Sequence, residues 1–589
     1  MSSRKKSTTI SNQEIAQLLR HVAAVYIIQD ANKFRIRAYD TAANSIEQLS
    51  IPLKELWADG ELDSVPGLGE KIRGALEELF TTGEIPFFQE VLGEVPAGMF
   101  PLVDLSGIGP KIAYKLATTL ELDDATTALA KVKVAAEAGQ LAELPGISTI
   151  LEKKILDLVS QPPTPASQQR MLLATGFGIA RDIIEYLLSS PAVLVAEGLG
   201  SMRRRSPTVG DIDIAVSTRD SAAVAAHLEK YPQLSKFISK GDKTIAIRLK
   251  AGLRIDIKCN PPEQWGSLLQ HYTGSKAHNI HLRTVALEKG LSLSEFGIKH
   301  GSVLKSYASE EKFYQALGLQ WVPPELREDN GEVEAALKHK LPQLVELSDI
   351  KGDLHIHTSI PFPTSHDLGA STVAEYLAAA EQLGYSYLGF SDHNPKRSDL
   401  SATERVAAIK QRNAAIDEAV AEYYQGKAQS IKVYKGLEVD ILPSGELALE
   451  DEGLALLDYA IASVHSAFTQ DRETATQRIL KALAHPKVKI LGHPTGRLIN
   501  KREGVAADWE LIADFCAEHN KYLEINASSD RLDLPFDVVN RVRQKKVQFF
   551  INTDSHHQAA LHSMQYGVWM ARKGWLMPTQ VANTKSSPW

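Results

Sequence analysis

Asp211 and Asp213 are separated by one residue, in Gly210-Asp-Ile-Asp213, and so are His355 and His357, in Asp353-Leu-His-Ile-His357. On an extended strand residues i and i+2 face the same side. Each pair therefore presents two like groups side by side. Two carboxylates so placed repel unless a cation lies between them, and hard oxygen donors suit Mg2+. A third carboxylate, Asp256, sits in another strand-like run, Arg254-Ile-Asp-Ile-Lys258. Three such groups can hold two Mg2+ about 3.5–4 Å apart, the clamp used for in-line phosphoryl displacement. Upstream, Gly200-Ser201 offers a backbone N–H and a hydroxyl to a phosphate chain, and Arg204, in the run Arg203–Arg205, offers it positive charge.

The imidazole pair heads a longer series: Asp367, His393, Glu438, His465, His493, Asp554 and His556, nearly all at the ends of strand-like runs. A lone histidine on an apolar strand is more often packed or hydrogen-bonded than ligating. Nine His, Asp and Glu residues in this pattern are not explained that way. Imidazole with carboxylate suits Zn2+, Mn2+ or Fe2+, and a cluster of such ions makes hydroxide available near neutral pH and polarises a phosphate. Asp392, beside His393, reads as a residue that orients a ligand.

These side chains need strands to present them, and 589 residues exceed what one core usually serves. Hydrophobic residues at 44% and charged residues at 23% place the chain among ordinary globular proteins. No apolar run has the length to cross a bilayer, and no apolar stretch follows the basic start Met1–Ser7, so no secretory leader and no membrane partner are expected. Cys259 and Cys516 lie far apart, which argues against a disulfide framework, excludes cysteine-rich zinc modules and favours a reducing cytoplasm. A net charge of −7 argues against a protein that coats nucleic acid by bulk charge. Helix N-termini and backbone N–H groups can still hold phosphates.

Two breaks stand out: the linker-like Gln161-Pro-Pro-Thr-Pro-Ala-Ser167, and Trp321-Val-Pro-Pro324 with the charged stretch 325–334 behind it. They divide the chain into 1–160, 165–325 and 345–578, with Ala582–Trp589 read as a loose tail. The first part reads as helical. The second sets strand-like runs (Ala192–Ala196, Asp211–Val216, Thr244–Leu249, Arg254–Lys258) among helices, an α+β layer. The third alternates strands near Gly352–His357, Tyr387–Asp392, Val433–Glu438, Tyr459–Val464, Ile490–Gly492, Leu523–Ile525 and Phe549–Asn552 with helices such as Val373–Leu383 and Thr403–Tyr423. That pattern predicts a barrel-like α/β domain with its chemistry at the strand C-terminal ends.

Within the helical part a short pattern repeats. Val65-Pro-Gly67-Leu-Gly69 precedes Lys71-Ile72, Leu105-Ser-Gly107-Ile-Gly109 precedes Pro110-Lys-Ile112, and Leu144-Pro-Gly-Ile-Ser148 precedes Leu151–Lys154. Each is a tight turn followed by an amphipathic helix. Glycine permits φ > 0 and close backbone approach, and the helix that follows begins with free N–H groups. The result is a phosphate cradle that reads no base. In the third copy Ser148 replaces the second glycine, which points to a structural role.

The series Gly200-Ser-x-Arg-Arg204, Gly210-Asp-Ile-Asp213, Asp256, Tyr272-Thr-Gly274-Ser-Lys-Ala-His-Asn279-Ile-His-Leu-Arg283, Leu293–Gly297 and Trp321–Arg327 resembles the family X DNA polymerases, over roughly residues 10 to 335. The glycine turns are similar to helix-hairpin-helix motifs that bind the DNA backbone, through Gly67, Gly69, Gly107 and Gly109. The resemblance implies that Asp211, Asp213 and Asp256 bind two Mg2+ (Mn2+ an alternative) and that Asp256 helps to take the primer 3′-hydroxyl proton. It places Gly200, Ser201, Arg204, Gly210, Gly274 and Arg170 at the nucleotide, Tyr272 against its sugar, Asn279 at the nascent base and Arg283 at the template strand. There are two departures. His271 stands where a second aromatic is usual. Ala75 stands where the family's deoxyribose-phosphate lyase has its Schiff-base lysine, with Lys71 only nearby.

The His/Asp/Glu series over about 347–578 resembles the polymerase-and-histidinol-phosphatase (PHP) domain, a distorted (β/α)7 barrel with three metal ions. The segment Thr358–Ser365 is longer than usual in that family, so either Asp367 or His366 fills one ligand position, and Ser371 at the usual interval favours Asp367. The expected fold is multidomain: an all-α helix-hairpin-helix domain, an α+β nucleotidyltransferase palm with fingers and thumb, and a (β/α)7 PHP barrel. The expected activity is gap-filling DNA synthesis from dNTPs on gapped or nicked double-stranded DNA, with 3′–5′ trimming, by a monomeric cytoplasmic protein at the nucleoid. Two rivals are a small-molecule phosphatase, which has no use for residues 1–160, and a DNA-bound scaffold whose metal cluster only holds the fold.

Overall fold

The computed structural model describes residues 10, 12–47, 53–58, 62, 68–82, 85–105, 108–160 and 170–589. Gly67, Gly107 and the proposed linker Gln161–Ser167 lie outside them. By packing, the chain falls into two units: 1–169 with 226–240 and 245–255, and 170–225 with 241–244 and 256–589.

In the first unit, helices Asn12–Ile28, Lys33–Glu47, Glu70–Thr82 and Pro86–Leu92 share a core containing Leu19, Val22, Tyr26, Ala42, Leu76 and Phe88. Helices Met99–Val103, Pro110–Thr119, Ala125–Glu137 and Thr149–Ser160 share a second, around Met99, Leu116, Val132 and Ile155. Pro110 occupies the first helical turn, where its missing N–H leaves no bond unmade. Strand Leu234–Lys240 pairs antiparallel with Thr244–Leu249. It escapes the sequence reading because most of its residues are exposed and show no apolar alternation.

In the second unit, helix Leu173–Leu188 leads to strand Val195–Gly198, which pairs antiparallel with Ile212–Ser217. The latter strand neighbours Arg254–Asn260 in one sheet, and past its end the Thr218 N–H donates to the Asn260 carbonyl at 2.9 Å. Helices Trp265–Thr273 and Lys276–Glu288 follow, then three short antiparallel strands (Leu291–Ser294, Gly297–His300, Val303–Lys305) not anticipated from the sequence. Leu282, Phe313, Tyr314 and Val333 centre their core.

Seven parallel strands in sequential order form the barrel: β1 (Gly352–Ile356), β2 (Tyr387–Phe390), β3 (Lys432–Asp440), β4 (Tyr459–Ser463), β5 (Val488–Gly492), β6 (Tyr522–Asn526) and β7 (Gln548–Asn552). Every residue of β1, β2 and β4 is buried; β2 and β4 read as continuous apolar runs for that reason, whereas β1 carries the buried polar residues Asp353 and His355. Tyr459 fills the interior. A Cβ on Gly389 would stand 2.2 Å from its hydroxyl, and one on Gly436 would stand 2.4 Å from its ring, so both positions need glycine.

Side chains stitch the seam between β1 and β7. Leu354 N–H donates to Asn552 Oδ1 at 3.1 Å, and Thr553 N–H to Asp353 Oδ2 at 3.1 Å. Asn583 donates to the carbonyls of Gly352 (2.8 Å) and Ile551 (2.6 Å) and accepts from Ile551 N–H (3.1 Å). The expectation of a loose tail is therefore corrected: Ala582 and Asn583 are buried, and the Trp589 ring packs on Tyr434 and Tyr459 at 5.5 Å each. Its polar, proline-bearing composition resembles a linker because its role is to bond strand edges rather than to supply apolar surface.

Candidate active sites

The helix-hairpin-helix turns come first in the chain. Gly109 caps helix Pro110–Thr119 with φ −75°, so positive φ is not what requires glycine there. A Cβ on Gly69 or Gly109 would meet nothing within 4 Å. Both glycines leave bare backbone ahead of a helix start. The third copy differs. Gly146 has φ +82°, Lys115 Nζ lies 3.8 Å from where its Cβ would be, and that Nζ donates to the Pro145 carbonyl. The turn is filled from within, and Ser148 Oγ caps the following helix by accepting from Leu151 N–H at 3.2 Å. Ala75 is buried in its helix and Lys71 is exposed.

The aspartate site is built on the strand pair. Gly200, at φ +57°, opens a one-turn helix, Gly200–Arg203, that carries Ser201 past the strand end. The Oδ2 of Asp213 lies 3.8 Å from where a Gly200 Cβ would stand, so the Gly-Ser turn and the Asp-x-Asp run meet. Asp211 is exposed just before the strand; Asp213 and Asp256 are half-buried on Ile212–Ser217 and Arg254–Asn260. Among the described residues these three carboxylates are spread more widely than the groups whose ligand atoms lie within 4.8 Å of one another. Arg170 donates to Thr208 Oγ1 (2.9 Å) and to the Thr208 carbonyl (2.7 Å), and its guanidinium covers Gly210, where a Cβ would stand 2.9 Å from it.

The three consecutive arginines have different surroundings. Arg203 is buried and makes a two-point contact with Glu310 (2.9 and 3.0 Å), a bond to Glu197 (2.7 Å) and one to Thr273 Oγ1 (2.7 Å). Arg327, also buried, bonds Glu310 Oε1 at 2.6 Å, an oxygen it shares with Arg203. Burial pushes the Glu310 carboxyl up, but Arg327 and Arg203 outweigh it and bring the pKa down to about 2. Arg205 lies 4.1 Å over the Trp569 ring and 5.0 Å over that of Phe177. Arg204 bonds Glu328 at 3.1 Å and the Thr273 carbonyl at 2.6 Å. Glu310, unremarked in the sequence reading, is thus the centre of an Arg-Glu-Arg group.

Beyond Thr273, Gly274 has φ +67° and Ser275 caps helix Lys276–Glu288. Tyr272 meets His271 edge to face at 4.8 Å. Burial, with Glu295 and Asp213 nearby, raises the Tyr272 pKa, and burial lowers that of His271 against the pull of Glu295. Asn279 accepts from Gln270 and donates to the His271 carbonyl, both at 2.8 Å. Arg283 is exposed one turn further along the same helix.

At the C-terminal ends of the barrel strands the second series converges. The ligand-type atoms form four overlapping groups: His355, His357, Glu438 and Asp554; His357, His393 and His556; His366, His393 and His465; and Glu438, His465 and His493. Glu438 is the hub. Its oxygens lie 2.7 Å from His493 Nε2, 2.9 Å from His393 Nδ1, 3.3 Å from His355 Nε2 and 3.4 Å from His465 Nε2. Burial would raise its pKa, but His355, His393 and His465 hold it well below the usual carboxylate range. Burial lowers His355 too, and Glu524, Asp554 and Glu438 more than reverse that. His357 ends well below its ordinary value through burial and the neighbouring His556 and His393.

Asp367 is exposed and outside these groups, and His366 stands in its place, with Nε2 3.0 Å from Asp440. Of the two alternatives the sequence offers, the loop therefore brings His366 rather than Asp367 to the cluster. The physical reason is the long insertion. Thr364 bridges to Pro395 and Ser365 N–H donates to the Asn394 carbonyl at 2.8 Å, which turns His366 inward and Asp367 outward. Two further carboxylates escaped the sequence reading. Asp440 lies two residues after Glu438 on β3 and accepts from His366 and from His465 Nδ1 (2.5 Å). Glu524 accepts from His355 Nδ1 at 2.8 Å and from His493 N–H at 2.6 Å. The period-two rule that picked out the other pairs would have found Asp440. A lone carboxylate between Leu523 and Ile525 was the signal for Glu524. Asp392 pairs with buried Arg412 at 2.7 Å and accepts from Thr358 Oγ1 at 3.1 Å.

The donor set fits divalent cations. His355 Nε2, His357 Nδ1, His393 Nδ1, His493 Nδ1 and Glu438 Oε2 are buried with no hydrogen-bond partner among the described residues. Uncompensated polar atoms at this density are costly. Glu524 and Asp440 hold ring nitrogens on the far sides of His355 and His465, which is how carboxylates orient metal-bound imidazoles.

Three segments of the chain match known protein families. A helix-hairpin-helix domain model matches residues 10–85, a DNA polymerase beta thumb model 268–328 and a PHP domain model 353–528. The chain is 33% identical over 580 residues (98% of this chain, 97% of the relative) to the DNA polymerase/3′-5′ exonuclease PolX of Bacillus subtilis (strain 168). It is 29% identical over 213 residues (35% of this chain, 78% of the relative) to a probable phosphatase of Clostridium acetobutylicum. It is 26% identical over 214 residues (35% and 78%) to a probable phosphatase of Thermoanaerobacter sp. (strain X514). Among the described residues no helix is long and apolar enough to cross a membrane.

Proposed function

Because the chain belongs to the family X DNA polymerases that carry a PHP domain, of which the Bacillus subtilis PolX is one, we infer that it extends DNA at one site and trims 3′ ends at another. It is a DNA-directed DNA polymerase joined to a metal-dependent 3′–5′ exonuclease, and its helix-hairpin-helix and thumb segments bind DNA. The cellular task is filling short gaps in repair, with dNTPs as substrates, by a monomer in the cytoplasm.

The following roles of single residues are supported by their positions and by the resemblance of their motifs. Divalent cations held by the two sets, a Mg2+ or Mn2+ pair on the aspartates and three ions of Zn2+, Mn2+ or Fe2+ type on the barrel, supply Lewis acidity toward the phosphoryl group and the attacking oxygen. Asp211, Asp213 and Asp256 carry the first set, and Asp256 takes the primer hydroxyl proton. Ser201, Arg204 and Arg170, with the backbone of Gly200 and Gly210, hold the triphosphate. Tyr272 and Gly274 pack the sugar, Asn279 reaches the nascent base, and Arg283 reaches the template. Gly67, Gly69, Gly107 and Gly109 contact DNA phosphates. His355, His357, His366, His393, Glu438, His465, His493, Asp554 and His556 carry the second set, with Asp440 and Glu524 orienting imidazoles. By size and chain order the domains are 1–160, 165–325 and 345–578, the last extended by the tail that seals it.

The observation that carries this reading is the ring of buried, unpartnered imidazole and carboxylate atoms around Glu438. The test uses a one-nucleotide-gapped duplex with Mg2+ or Mn2+, with and without dNTPs. Asp211→Ala/Asp213→Ala is expected to lose extension and keep degradation, and His355→Ala/His357→Ala the reverse. Degradation that survives loss of the histidines returns the scaffold reading of the barrel.

A further inference from the structure

Glu328 stands between two cations from distant parts of the chain. Arg204 Nε lies 3.1 Å from its Oε1, and Lys573 Nζ donates to the same oxygen. Lys573 ends helix Met564–Lys573, which packs on barrel strands β6 and β7. Its side chain is 1% exposed, and Nζ also donates to the carbonyls of Arg204 (3.1 Å) and Glu325 (3.4 Å). Arg204 in turn donates to the Thr273 carbonyl, and Ser275 N–H donates to the Arg327 carbonyl at 2.9 Å. Arg204, the turn Thr273–Ser275, Glu328 and Lys573 thus form one connected corner.

An ammonium is not buried this deeply without compensation. For Lys573 the hydrogen-bond partners, Glu328 and the carbonyls of Arg204 and Glu325, all precede the barrel in the chain, and within the barrel domain its ammonium stands 4.7 Å over the Phe536 ring. A carboxylate beside Arg204 competes with a nucleotide's phosphates for the same guanidinium. A second cation on that carboxylate weakens the competition. We propose that Lys573, carried by the barrel, is a positioning residue for the polymerase: it satisfies Glu328 so that Arg204 can turn to the incoming triphosphate, and it anchors the Arg204 backbone. This rests on the reading of Arg204 as a phosphate-binding residue. The exonuclease half of the molecule then completes the nucleotide site of the other half.

The test measures extension of a one-nucleotide-gapped duplex by the full chain as a function of dNTP concentration, and 3′–5′ degradation beside it. Lys573→Met is expected to raise the KM for dNTP about fivefold with a smaller change in kcat, where tenfold corresponds to about 1.4 kcal/mol. Degradation should be kept. Adding Glu328→Gln should bring the KM back toward the starting value, because the competing charge is gone. A lysine that only supports the fold would lower kcat and degradation together, and Glu328→Gln would not restore them. An unchanged KM in Lys573→Met, or no restoration in the double variant, overturns the proposal. Arg204→Ala with an unchanged KM defeats the assignment of Arg204 itself, and the proposal with it. If Lys573→Met does not fold, Glu328→Gln alone decides: its KM should stay level or fall, and a rise overturns the proposal.

Discussion

The Nε2 of His366 lies 3.0 Å from Oδ1 of Asp440, a carboxylate that also accepts from His465. His366, not its neighbour, is therefore the group delivered to the barrel mouth by the long loop after His357. His366→Ala is expected to lower 3′–5′ degradation at least tenfold, on the scale set by losing one group of a metal site. Asp367→Ala should stay within about twofold, as exposed substitutions do. Degradation of a labelled 3′ end by both variants checks this; the reverse order returns the ligand role to Asp367.

Arg170 lies over Gly210 so closely that an alanine Cβ would stand 2.9 Å from its guanidinium. The obstacle is the far end of a flexible side chain, so Gly210→Ala should displace Arg170 and leave the fold intact. Extension is expected to fall about tenfold, or ~1.4 kcal/mol, with degradation and melting temperature unchanged. Normal extension in this variant would remove Arg170 from the nucleotide site.

Glu310 is held between Arg203 and Arg327 with its pKa down to about 2, from an ordinary value of 4.5. A carboxyl whose folded pKa lies below its unfolded one stabilises fully above the unfolded value and loses that contribution as pH falls through the folded one. The window is thus about pH 4.5 down to 2, and the contribution is about 3 kcal/mol. Glu310→Gln should be less stable at pH 7, because two buried guanidinium groups lose their counter-charge, and should lose less stability on acidification. Denaturant unfolding of both proteins at pH 7, 4.5 and 3 measures it. Parallel loss in the two proteins would show that Glu310 does not control this window.

Asn583 makes three hydrogen bonds across the seam between β1 and β7 and is fully buried. Asn583→Ala should cost about 3 kcal/mol, since the groups left behind are buried and unsatisfied. Thermal unfolding monitored by barrel tryptophan fluorescence is the measurement. A change below about 0.5 kcal/mol would mean that solvent replaces these bonds.

The parts of the fold legible in the sequence are those with a short period. Strands such as β2 and β4 read as apolar runs because they are buried on both faces, and the paired residues Asp211/Asp213 and His355/His357 stand out because i and i+2 on a strand share a face. The parts that stayed hidden depend on long-range contacts. Glu310 and Arg327 look like surface charges until the fold brings Arg203 to them. Whether His366 or Asp367 turns inward depends on a bridge to Pro395 that no local pattern encodes. Asp440 was within reach of the same period-two argument, whereas Lys573 was not, because its meaning depends on Glu328, 245 residues away.

The seam sets an order of assembly. Asn583 bonds the carbonyl of Gly352, 231 residues earlier. During synthesis Asp211, Asp213 and Asp256 emerge from the ribosome long before Asn583 can close the seam. A chain that stops short of residue 583 would carry the parts that build DNA without the finished barrel that degrades it.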